Sequence, residues 1–197
     1  MIKSLTKSFI LEEFLKLPET KPSSEYINGQ IIQKPMPQGK HSILQGELVS
    51  NINSVTKPQK IALAFPELRC TYPAGSRSSS VYGGRSIVPD IAVFAWERIL
   101  LDERGEVANV FKTSPDWTIE ILSPDQSQTK VTGNILHCLK HGSRFGWLID
   151  PDEHSVLVYP PKQQPELLQE EQEILPVPDL VNGFQLTVGQ LFGWLKL

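Results

Sequence analysis

"WTIEILSP", residues 117–124, reads as a strand that runs into a turn. Trp117, Ile119, Ile121 and Leu122 are apolar, Thr118 suits a strand, and Ser123-Pro124 supplies the stop. Glu120 breaks the pattern. Burying an unpaired carboxylate costs on the order of several kcal/mol, so this acid needs a partner.

The neighbouring segments suggest what surrounds it. A helix is expected from about Gln128 to His141, ended by Gly142, followed by two strands, "FGWLIDP" and "HSVLVYPP", joined at Pro151-Asp152. Upstream, "IVPDIAVFAW" (87–96) reads as one apolar strand with an acid, Asp90, near its start. "EYINGQIIQKP" (25–35) is a hairpin signal, because Asn28-Gly29 tolerates the positive φ values of a tight turn. Helical periodicity returns from His41 to about Val55, through Ile43, Leu44, Leu48, Val49 and Ile52. "IALAFPELRCTY" reads as strand interrupted by Pro66. Phe9, Ile10, Phe14, Leu15 and Leu17 predict an opening helix capped by Ser8, and "TVGQLFGWL" a short closing one. The stretch from 160 to 182 reads as edge strands and turns.

Strands outnumber helices and do not alternate strictly with them. The expected fold is therefore α+β, a central mixed sheet flanked by helices, in preference to a doubly wound Rossmann sheet. The Gly-Gly pair of the serine-rich loop at 73–86 precedes a strand, so it lacks the context of a phosphate-cradling loop.

The chain of 197 residues suits one domain, with 40% hydrophobic and 21% charged residues. That composition excludes a disordered chain. A net charge of −3 argues against a broad basic surface for coating nucleic acid, though a short basic groove can sit inside an acidic total. Cys70 and Cys138 have no metal-ligand spacing and read as free, half-buried thiols. No apolar stretch is long enough to cross a membrane, and a cytoplasmic protein is expected.

Asp90 and Glu120 both interrupt apolar strands. If they project to one face of a sheet they converge, and converging carboxylates need a cation, a shared proton or a basic partner. Carboxylates with a backbone carbonyl and waters are ligands for Mg²⁺ or Mn²⁺. Such an ion can polarise a phosphoryl oxygen and generate a hydroxide nucleophile. Lys130, in the first turn of the following helix, could act as a phosphate contact. Trp117, Trp147 and Tyr159 read as core, His137 and His141 as a solvated helix end, and Arg77 and Arg85 as ordinary loop charges or phosphate contacts.

Pro89-Asp90 followed by Glu120 resembles the PD-(D/E)xK nuclease signature. "EYINGQII" with His41 downstream, "VPDIAVF", "WTIEILSPDQSQTK" and "HGSRFGWLIDP" together resemble the bacterial Uma-two family of restriction-endonuclease-like proteins, over roughly residues 8–160. The resemblance implies a restriction-endonuclease-like fold and a Mg²⁺- or Mn²⁺-dependent site for cutting DNA. It further implies a homodimer, with Asp90, Glu120 and the Ile121 carbonyl as metal ligands. Glu25 would be a further ligand or hold a metal-bound water, the alternative being a solvated strand end. His41 would contact phosphate or orient an acid, the alternative being a surface histidine at a helix start. In the simple motif a lysine stands two residues after the acid, but that position is Leu122. Family members supply it from the next helix, where the register gives Asn134, so Lys130 or, less directly, Lys140 is expected to replace it. Should neither reach the acids, the chain would be a non-cutting relative that binds nucleic acid or assembles with protein.

Overall fold

The structure is a computed structural model and describes residues 9–73, 83–124, 126–181 and 183–196. Two sheets carry the fold. The first contains β1 (Ser24–Ile27), β2 (Gln30–Gln33), β4 (Cys70–Tyr72) and β5 (Arg85–Ile87), in the order β2-β1-β5-β4. The second contains β3 (Ala62–Pro66), β6 (Ile91–Ala95), β7 (Trp117–Ile121), β8 (Phe145–Asp150), β9 (Ser155–Tyr159) and β10 (Glu166–Leu168), in the order β10-β9-β8-β7-β6-β3.

The β1–β2 hairpin turns on Asn28 and Gly29, with φ of 48° and 91°, as the sequence predicts. β7 and β8 are the parallel pair of the six-stranded sheet, connected by α3 (Gln128–Lys140). A parallel pair needs a crossover of this length, and a helix supplies it. α3 lies close to β8 because Gly146 leaves room: a Cβ there would come within 2.5 Å of the Ile135 side chain.

Residues alternate faces along a strand, and the two faces of β7 have different neighbours. Trp117, Ile119 and Ile121 share the main core with Leu44, Leu48 and Ile52 of α2 (Gly39–Thr56). The opposite side meets α3, whose Val131 and Ile135 pack with Leu122, Leu148 and Tyr159. Glu120 alternates onto that second side.

Several expectations change. "IVPDIAVFAW" is two strands in two sheets, because Val88, Pro89 and Asp90 form the step between β5 and β6. Proline has no N–H to offer a ladder, so the strand breaks there. The opening helix is short, α1 (Leu11–Phe14), and Leu15 and Leu17 are exposed. Cys70 and Cys138 are fully buried in one small core cluster with Tyr72 and Phe111. Arg77 lies outside the described residues. The closing helix is α4 (Val188–Gly193). Among the described residues, no helix is long and apolar enough to cross a membrane.

Candidate active site

The β6–β7 register explains why the two acids meet. Ile91 pairs with Ile119 in antiparallel fashion, and one further step sets Asp90 opposite Glu120. Both are buried, with 3% and 2% of their surface exposed. The cation between them is Lys34, from the residue that follows β2. Its Nζ lies 2.6 Å from Asp90 Oδ1 and 3.4 Å from Glu120 Oε2, and donates to the Val88 carbonyl at 2.8 Å.

Asp90 is held on all sides. Its Oδ2 accepts the Ile121 amide N–H at 2.7 Å and lies 3.2 Å from His41 Nε2. Its own carbonyl accepts from Gln45 Nε2 at 2.8 Å. Burial disfavours the Asp90 charge, but Lys34, His41 and the Ile121 amide outweigh burial and hold its carboxyl well below the usual range. At Glu120 the balance runs the other way. Burial dominates, Asp90 and Glu25 reinforce it, and Lys34 at the longer distance does not compensate, so this carboxyl is pushed well up. Burial also works against the Lys34 charge, yet Asp90, Glu120 and Glu25 together raise it well above an ordinary lysine. Two neighbouring carboxyls with opposed shifts are the arrangement by which sites divide proton-transfer roles.

Glu25 sits on β1 and faces the same place. Its Oε1 accepts from the Val88 amide at 2.9 Å and its Oε2 from Asn134 Nδ2 at 3.1 Å, so it ties the hairpin to the β5–β6 step and to α3. Two clefts open on either side of Lys34 and Pro35. One, about 390 Å³, reaches His41 and Asp90; the other, about 610 Å³, runs between the hairpin and α3 past Glu25, Lys130 and Asn134.

Residues 11–189 match the family described as "Uma2: Putative restriction endonuclease". The chain belongs to the Uma2 family. Its fold is restriction-endonuclease-like. A crystal structure of a putative nuclease of the DUF820 group from Anabaena variabilis is similar at 61% identity, over 95% of this chain and 99% of that one, with a TM-score of 0.88. No match is found among curated proteins.

Against this family background, the geometry brings Asp90, Glu120, Glu25, His41 and Ile121 together. Ile121 joins through its amide N–H. Of the two readings of His41, the surface histidine is the one set aside: it is buried beside Asp90, because α2 begins at Gly39 and directs its third residue inward. One expectation needs correction. Lys130 is exposed on α3, and among the described residues no ion pair joins it or Lys140 to either acid. Lys34 takes that place. Its signal was in the hairpin: Glu25 pairs with Ile32, and alternation sets Lys34 on the same face two residues later. Asn134, where the family register expects lysine, does reach the site, as the donor to Glu25.

The donors suit a hard divalent ion, since all are oxygens and Glu120 Oε1 is buried without a hydrogen-bond partner among the described residues. No three His, Cys, Asp or Glu side chains among the described residues form a ready-made metal cluster. Mg²⁺ is commonly held by one or two carboxylates with waters and substrate phosphates, and Asp90 and Glu120 are two carboxyls of that kind, brought together at Lys34.

Proposed function

We propose that this protein is an endonuclease of the PD-(D/E)xK type, hydrolysing phosphodiester bonds of DNA with Mg²⁺ or Mn²⁺. The observation that carries the reading is the convergence of Asp90 and Glu120 on Lys34, at 2.6 and 3.4 Å, where two clefts meet. Asp90 and Glu120 hold the ion, with the Ile121 carbonyl as a third ligand. The ion supplies Lewis acidity toward the phosphate and a water of lowered pKa.

The remaining work falls to the chain itself. The Ile121 amide and His41 fix Asp90 in place, so the ligand is oriented before any substrate arrives. Lys34 provides the positive charge that steadies the phosphate as it gains charge in the transition state. Glu25 is a positioning residue, since both its oxygens are engaged by protein donors. Neither Lys130 nor Lys140 reaches the acids, the condition set for a non-cutting relative, but Lys34 brings a lysine to them and supports the cutting reading instead.

The test is cleavage of plasmid and oligonucleotide DNA by the purified protein with Mg²⁺ or Mn²⁺. Asp90→Asn, Glu120→Gln and Lys34→Ala are each expected to abolish cutting, with the fold checked by circular dichroism. Absence of cutting by the parent under all these conditions, or full activity in the folded variants, overturns the reading.

A further inference from the structure

The larger cleft has a lining that the hydrolytic centre does not explain. Strand register sets its floor. Ile32 pairs with Glu25 and Ile27 with Arg85, so these four side chains share one face of the four-stranded sheet. α3 forms the facing wall with Lys130, Val131 and Asn134. The result is a cleft of about 610 Å³ with aliphatic walls and three cations, Lys34, Arg85 and Lys130, within the roughly 300–1,000 Å³ that ligand pockets occupy.

Arg85 is half-buried, and its guanidinium donates to the Gly133 carbonyl at 3.2 Å. Burial works against its charge. Among the described residues neither Arg85 nor Lys130 forms an ion pair, and the carboxylate whose charge reaches Arg85 is Glu25. Glu25, the acid in the lining, spends both oxygens on Val88 and Asn134. The smaller cleft differs, because Glu19 and Glu67 line it beside Lys21.

We infer that the larger cleft binds an unpaired nucleotide of a single DNA strand next to the bond to be cut, its base against Ile27, Ile32 and Val131 and its phosphate on Arg85 and Lys130. This rests on the nuclease reading for the identity of the ligand. A duplex presents sugars and phosphates with its base faces stacked inside, so an aliphatic wall gains little from it. An unpaired nucleotide offers both a flat apolar face and a phosphate. The reactive acids point the same way: their side chains are 4% and 3% exposed beneath Lys34, a recess that a flexible strand enters more readily than a rigid duplex.

The experiment is fluorescence anisotropy in EDTA, with a labelled deoxythymidine dodecamer and a duplex of the same length. The single strand is expected to bind about tenfold more tightly than the duplex, a difference of about 1.4 kcal/mol. Arg85→Gln and Lys130→Gln should each weaken single-strand binding several-fold. Each should also flatten the log–log salt dependence by about 0.7, the value for one lost phosphate contact. Ile32→Ser should weaken binding with the salt slope unchanged. Equal or tighter duplex binding, or single-strand affinity unmoved by Lys130→Gln, overturns the inference. A protein that cuts duplex DNA with Mg²⁺ but prefers no single strand overturns this site and leaves the nuclease standing. One that binds as described but never cuts overturns the nuclease reading and leaves the site.

Discussion

Asn134 Nδ2 donates to Glu25 Oε2 at 3.1 Å, joining the middle of α3 to the first strand of the hairpin. Both residues are buried. Asn134→Ala removes one of the two donors that satisfy the Glu25 carboxylate, and an under-satisfied buried group costs about 1–3 kcal/mol. Urea unfolding should show that loss as a lower midpoint at unchanged slope. A variant as stable as the parent would mean that water replaces the amide without cost.

Lys34→Met leaves Asp90 and Glu120 without their shared cation. Breaking a buried ion pair from one side costs about 3–5 kcal/mol, so the variant should melt well below the parent in EDTA. The same substitution removes an ammonium that competes with a divalent ion for the two carboxylates. Calorimetric titration should therefore find tighter Mn²⁺ binding, and Mn²⁺ should restore part of the lost thermal stability, while cleavage stays absent. Weaker Mn²⁺ binding in the variant would count against the two carboxylates as the ligands.

Glu120→Gln gives a pH signature in metal-free protein. Because the Glu120 carboxyl is raised in the folded state, the native chain keeps a proton that the unfolded chain releases above the ordinary glutamate value of about 4.3. Stability of the parent therefore falls as pH rises through that window. The glutamine variant has no such proton. Its melting temperature should match the parent below about pH 4 and exceed it by a margin that widens toward neutral pH, then levels off above the folded-state value. A constant margin across the range would remove Glu120 as its source.

Gly146→Ala tests how closely α3 lies on the sheet. The added methyl meets the Ile135 side chain at 2.5 Å and Tyr159 Cβ at 3.5 Å. Overpacking of this kind costs about 1–3 kcal/mol. Since Ile135 is adjacent to Asn134, displacement of the helix should also lower cleavage. Thermal melts and cleavage rates measured together separate this from a purely local clash, which would move the melt alone.

The acids were legible in the sequence because each breaks a run of apolar residues, and Pro89 marks where one strand must end. The Asn28-Gly29 turn, β7 and the helix after Ser127 follow from local rules of turn chemistry and periodicity. Lys34 was not found, because it precedes a proline in what reads as a solvated hairpin end, and local patterns carry no information about docking between sheets. The pairing of Glu25 with Ile32 would have assigned Lys34 its face, but not its distance from Glu120, which lies 86 residues away. His41 kept two readings for a related reason: a polar residue in a first helical turn reads as exposed until the acid beside it is known.

The step from Val88 to Asp90 divides the site between the two sheets. Lys34 and Glu25 belong to the hairpin side, and Asp90 and Glu120 to the six-stranded side. The pairing of a lysine with two acids is therefore a property of how the sheets dock, and neither sheet has it alone. A small slide of one on the other would part Lys34 from Glu120 before any ladder bond broke, so the active centre doubles as a gauge of alignment between the two halves of the molecule.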